Sequence, residues 1–141
     1  MPVNLILGGR SFDSESMLIM AIVNRTPDSF YDKGASFADA DAMARVCEAV
    51  AAGADIIDIG GVKAGPGEAV DVTEEIRRTA SFVSAVRSEF PEVVISVDTW
   101  RAEVGRTACQ EGADLLNDAW GGWDPQLAEV AAQFKVGLVC T

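Results

Sequence analysis

Twice in this chain a helix-like stretch stops at a glycine and gives way to a short apolar run that closes on polar groups. These are "AGADIID" at residues 52–58 and "EGADLLND" at residues 111–118. A unit that repeats as helix, glycine, strand is the signature of strands joined by helical crossovers, and such strands run parallel in one sheet. The same rhythm fills most of the chain. Helical apolar spacing over 39–52 places Met43, Val46, Cys47 and Val50 on one face and ends at Gly53. A strand is predicted over 54–59. A second helix starts near Asp71 or Thr73, carries Glu74 and Glu75 in its first turn, and ends before Pro91. Strand 93–97, a helix over about 100–111, a helix capped by Asp124 with Pro125 at its first position, and strand 136–140 follow. Ahead of them, 3–7 reads as a short extra strand turned back by Gly8 and Gly9.

The strand ends decide between the two architectures that alternation allows. Asn24, Asp58, Asp98, and Asn117 with Asp118 each terminate an apolar run. An open doubly wound sheet gathers its ligand groups at one switch point, whereas polar groups at every strand end suit a (β/α)8 barrel with its site on the C-terminal face. The prediction is therefore an α/β fold of TIM-barrel type. A complete barrel takes about 250 residues, and 141 residues with about five strands read as the first half of one, a single domain over 1–141.

Composition narrows the chemistry. The formal charge of −11 argues against a phosphate-tracking face and so against nucleic acid as a partner. No apolar run approaches the roughly 20 residues that span a bilayer, and the N-terminus lacks a secretory pattern, so no membrane association and a cytoplasmic location are expected. Cys47, Cys109 and Cys140 are isolated among apolar neighbours and read as buried thiols. Histidine is absent, which leaves carboxylate, amide, hydroxyl and lysine chemistry, or a cation held by oxygen ligands such as magnesium.

At residues 17–24 a strand that reads as apolar on both faces empties into Asn24, Arg25 and Thr26, bringing an amide, a guanidinium and a hydroxyl to the barrel mouth. A simple turn at "TPDS" explains the same residues equally well. Asp58, between two isoleucines and before Gly60 and Gly61, reads at least as readily as a structural carboxylate. Asp98 is the sharper signal: a carboxylate ending an apolar strand is costly to bury without donors, and a ligand with adjacent N–H groups supplies them. Asn117 offers a donor and an acceptor, as the edge of a heterocycle requires.

"VNRTPDSF" (23–30), "DIGGVKAGPG" (58–67), "SVDTW" (96–100) and "LLNDAWGG" (115–122) together resemble, in order and spacing, the first half of dihydropteroate synthase, a pterin-binding TIM barrel. The resemblance implies a transferase of folate biosynthesis that joins a dihydropterin diphosphate to p-aminobenzoate, releases pyrophosphate and uses magnesium. By position it implies that Asn24 contacts the magnesium–diphosphate and that Asp98 and Asn117 hydrogen-bond the pterin ring. Phe30 and Asp32 fall on the loop that closes over the reacting groups. No residue is assigned as the catalytic group.

Departures from the family pattern are local. Arg25 stands where the family has a small aliphatic residue, and Trp120 where it has a small one. In place of the central Glu-Ser-Thr-Arg of the second motif, the chain has Val62, Lys63, Ala64 and Gly65, which removes the threonine and arginine that meet diphosphate and p-aminobenzoate. Lys63 and Arg25 bring positive charge from other positions. The resemblance with these departures implies a synthase-like protein of reduced or lost activity, and a non-catalytic pterin-binding or scaffold relative remains the alternative. A sheet edge left open by a half-barrel implies a homo-oligomer.

Overall fold

The computed structural model describes residues 3–25, 35–62 and 69–141. Its first elements are two three-residue strands, β1 (Leu5–Leu7) and β2 (Arg10–Phe12), paired antiparallel. Gly8 and Gly9 join them with φ of 56° and 76°, a two-residue turn that only positive φ at both positions allows. Five further strands, β3 (Met20–Asn24), β4 (Ile56–Gly60), β5 (Val94–Asp98), β6 (Leu115–Asp118) and β7 (Gly137–Cys140), form one parallel sheet. Their spatial order is their chain order. No strand is inserted out of sequence, so the sheet has no switch point and is an arc of a barrel rather than a doubly wound sheet.

The helices α1 (Ala35–Ala51), α2 (Val72–Glu89), α3 (Ala102–Glu111) and α4 (Gln126–Phe134) follow β3, β4, β5 and β6 in turn. All four meet the outer face of the sheet. Val23, Ile57, Ile59, Ile95, Val97 and Leu116 supply that face, and Val46, Val83, Val86, Ala108, Leu127 and Val130 answer from the helices. Side chains alternate along a strand, so the residues between them face inward. There Ile56, Val94 and Leu115 pack against Leu7 and Phe12, which makes the β1–β2 hairpin a plug over the N-terminal end of the arc.

Two expectations need correction. The β3 strand is not buried on both faces: Val23 is buried on the helix side, but Ile22 on the inner side is 69% exposed. The cause is that β3 pairs only with β4 and stands at the end of the arc. Of the three cysteines, Cys47 and Cys140 are exposed and only Cys109 is partly covered. Cys47 sits one position past the buried Val46, about 100° round the helix from it, and Cys140 lies on the last strand.

Asp71 caps α2 as its sequence suggests, accepting from the Glu74 N–H at 2.8 Å. Asp124 does more than cap α4. One carboxylate oxygen accepts from Gln126 N at 3.1 Å, and the other accepts from Ala102 N at 2.9 Å, at the start of α3. The α3 helix therefore begins two residues later than its sequence suggests.

The α3 and α4 helices meet tightly at Gly105. A Cβ there would lie 2.6 Å from Leu127 Cδ1 and 3.2 Å from Leu116 Cδ1. Gly105→Ala is expected to lose about 1–3 kcal/mol to overpacking, which outweighs the roughly 1 kcal/mol that alanine gains over glycine within a helix. Urea unfolding checks this. A midpoint at or above the wild-type value would show that Leu127 swings clear.

Candidate functional site

Parallel register fixes which strand ends stand side by side. One row across the C-terminal rim runs Asn24, Gly60, Asp98, Asn117, Val139, and the row beneath it runs Ile22, Asp58, Ser96, Leu115, Gly137. Asp98 and Asn117 are therefore neighbours, as the sequence reading requires of a pair that shares one ligand. Asn24 lies two strands away and is exposed. Between them Gly60 leaves a gap, because a Cβ at that position would stand 3.4 Å from Asp98 Oδ2. Phe30, Asp32 and Lys63 lie outside the described residues.

Asp58 is almost wholly covered, at 3% exposure. Ser96 Oγ donates to its Oδ1 at 2.6 Å, and Asn117 Nδ2 approaches both of its oxygens at 3.4–3.5 Å. Burial raises its pKa, and these two side-chain donors pull it back. Asp58 thus draws an N–H of the Asn117 amide, and Asn117 keeps its carbonyl oxygen and its second N–H for a ligand.

Asp98 lacks such support. Its Oδ1 is buried without a hydrogen-bond partner among the described residues. Burial, with the negative charges of Asp58, Glu75 and Asp118 in support, pushes its carboxyl up to about 7. Orphaned buried oxygens are rare in folded proteins because each forfeits its hydration without replacement. This one sits on a strand end in the row of polar groups, where an incoming N–H donor would relieve it.

The turns after β5 and β6 are tied to the rim and to each other. Asp118 accepts from Trp120 N at 2.8 Å and Gly122 N at 3.0 Å, fixing the turn after β6. Trp120 meets Trp100, from the turn after β5, with ring centroids 4.7 Å apart. Arg25, however, turns toward the helix layer. Its Nε donates to Arg78 O at 3.2 Å, its guanidinium lies 4.6 Å from the Phe82 ring, and it pairs with Asp39. Alternation explains this, since Asn24 faces inward and the next residue must face the helices.

Glu75 escaped the sequence reading, which saw only a carboxylate suited to a helix N-terminus. It is fully buried, accepting from Thr99 Oγ1 and Arg101 Nη1, each at 2.8 Å. Its partners are 24 and 26 residues away, beyond the reach of local pattern. As for a metal, no group of three or more Asp, Glu, His or Cys is arranged to hold one among the described residues. A magnesium ion that keeps most of its water and substrate oxygens needs only one or two protein ligands. The exposed amide oxygen of Asn24 fits that limited role.

Residues 20–141 match the pterin binding enzyme family. The chain belongs to the pterin-binding enzymes. Within them it is 62% identical over 134 residues to the inactive dihydropteroate synthase 2 of Mycobacterium tuberculosis, a match that covers 95% of this chain and 42% of that protein. It is 42% identical over 134 residues to the dihydropteroate synthase of Clostridium beijerinckii, covering 92% and 49%. The solved structure of Xanthomonas albilineans dihydropteroate synthase with 4-aminobenzoic acid superposes with a TM-score of 0.86 at 35% identity, covering 97% of this chain and 51% of that one. The chain spans about half the length of the relatives it matches, and its fold is about half of the TIM-type barrel that pterin-binding enzymes form.

Proposed function

We propose that the full-length protein is dihydropteroate synthase-like, binding a dihydropterin diphosphate through Asp98 and Asn117, with condensation onto p-aminobenzoate reduced or lost. The observation that carries this is the Asp98 carboxylate, whose buried Oδ1 has no partner among the described residues. In its ionised form it accepts from adjacent N–H groups of the ring, while the Asn117 amide, oriented by Asp58, offers an acceptor beside it. Asn24 would hold magnesium against the diphosphate, and a divalent ion there would offset the charge of departing pyrophosphate. Phe30 and Asp32 are placed in the loop that covers the reacting groups, and Lys63 near the diphosphate, on the strength of the motif match.

Weak condensation follows from the second motif. Ala64 and Gly65 stand in place of the threonine and arginine that meet diphosphate and p-aminobenzoate in the family motif, and Arg25 is engaged by Asp39 and the helix layer. High identity to a relative named as inactive favours the same reading. The remaining features agree: small-molecule substrates, no nucleic acid partner for a chain of charge −11, and no helix among the described residues long and apolar enough to cross a membrane. We place the protein in the cytoplasm. We also propose that residues 1–141 self-associate through the outer strands, where Ile22, Leu138 and Val139 are exposed.

Calorimetric titration with a dihydropterin and a coupled pyrophosphate-release assay on the same full-length sample test the reading. Binding with little or no turnover is the expected result, and Ser-Thr-Arg at positions 63–65 should raise the rate. Turnover at the ordinary speed of a synthase would refute the loss of condensation. Absence of dihydropterin binding would leave a scaffold.

A further inference from the structure

Thr99 directly follows Asp98 at the end of β5, and it is fully buried. Its N–H donates to Asn117 O at 3.2 Å, so it ties the end of β5 to the strand that carries Asn117. Its hydroxyl donates to Glu75 Oε1 at 2.8 Å and accepts from Arg101 N at 3.2 Å. Arg101 closes the circuit, with Nη1 on Glu75 Oε2 at 2.8 Å and Nη2 on Val70 O at 2.7 Å, just ahead of α2. The same guanidinium lies 4.5 Å from the Trp100 ring.

A buried ion pair is a poor device for stability, since well-packed apolar residues of equal volume commonly do as well or better. Its distinctive property is direction. The N–H and the hydroxyl of Thr99 are both engaged by groups from other segments or the next turn, and Asp98 is its covalent neighbour. We propose that Thr99, clamped by Glu75 and Arg101, is the positioning residue of the ring-binding edge, setting the aim of the Asp98 carboxylate relative to Asn117. Glu75 is part of the same device. With Asp58 from β4 and Asp118 from β6 it is one of three carboxylates facing Asp98, and Arg101, in the turn before α3, is the cation bound to it. The inference rests on the pterin reading of this rim.

Three variants of the full-length protein test it. Thr99→Val keeps the shape and removes the hydroxyl, Thr99→Ser keeps the hydroxyl, and Glu75→Gln removes the facing charge. Dihydropterin affinity is measured by calorimetry at pH 8, and the Asp98 titration midpoint by carboxyl-carbon NMR in the ligand-free protein. Thr99→Val is expected to weaken binding by about tenfold, the equivalent of one misplaced hydrogen bond, while Thr99→Ser retains most of the affinity. Glu75→Gln is expected to lower the Asp98 midpoint, because a negative charge that opposes its ionisation is gone. Wild-type affinity in a folded Thr99→Val, or failure of serine to restore binding, overturns the proposal. So does an unmoved midpoint in Glu75→Gln. If the wild-type protein binds no dihydropterin, the functional reading falls, and the ligand-free midpoints of Thr99→Val and Glu75→Gln still decide whether the clamp governs Asp98. Should Glu75→Gln fail to fold, the valine and serine pair decides alone.

Discussion

Asp98→Ala in the full-length protein is expected to weaken dihydropterin binding by roughly 10- to 150-fold, the equivalent of the 1.5–3 kcal/mol of a hydrogen bond to a charged group. The same change is expected to relieve the ligand-free fold. The Asp98 carboxyl titrates at about 7 when folded, against an ordinary value of 3.8. Between those values the folded state holds a proton that the unfolded chain has released. Stability contributed by this group therefore falls as pH rises from about 4 to 7, and the full burden remains above 7. Asp98→Asn, which preserves shape, should accordingly gain on the wild type in thermal melts as pH climbs through that window, with no gain at pH 4. Binding runs the other way. N–H donors on the ring favour the ionised carboxylate, so wild-type affinity should decline as pH drops through 7. Unchanged affinity in a folded Asp98→Ala would remove this residue from the site.

Arg87→Ala should produce the largest loss of stability. At the opposite end of the sheet from the rim, this guanidinium donates to Pro91 O at 2.9 Å, Val93 O at 2.8 Å and Gly112 O at 2.9 Å, and pairs with Asp114. Asp114 in turn accepts from Ile95 N at 3.0 Å. Removing the arginine strands a largely covered carboxylate and several carbonyls at once, at a cost of about 3 kcal/mol, set against total stabilities of only about 5–15 kcal/mol. Arg87→Lys should restore little, because a single ammonium cannot span the carbonyls that a planar fork reaches. Urea unfolding monitored by circular dichroism gives the answer. A loss of no more than roughly 0.5 kcal/mol, the range of ordinary surface changes, would contradict the role assigned to it.

Much of this was legible in the chain because the deciding signals are local. Glycines after helices, apolar runs of strand length and Asp71 ahead of two glutamates report on neighbours a few residues away, and each predicted helix and strand has an observed counterpart. What escaped depended on distant partners. The start of α3 is set by Asp124, 22 residues further on. Glu75 looks like any acidic residue in a first turn until β5 brings Thr99 and Arg101 to it. Asp58, read as at least as readily structural, orients the Asn117 amide from the row below. The outward turn of Arg25 was within reach of strand alternation. The exposure of Ile22 agrees with the half-barrel that about five strands implied, whose inner face is left uncovered, with β3 at its end.

The glycine in the rim row also acts as a gauge. Adjacent strands stand about 4.8 Å apart, so Asn24 and Asp98, separated by Gly60, are about 10 Å apart along the row. No single small group bridges that distance. A compound that engages both ends must carry a ring at one and an oxygen-rich tail at the other, joined by a spacer of the right reach. A bare ring occupies one end only and leaves Asn24 to water. On the proposed reading, strand spacing would separate a free heterocycle from its phosphorylated ester, and a side chain at position 60 would intrude between the two marks.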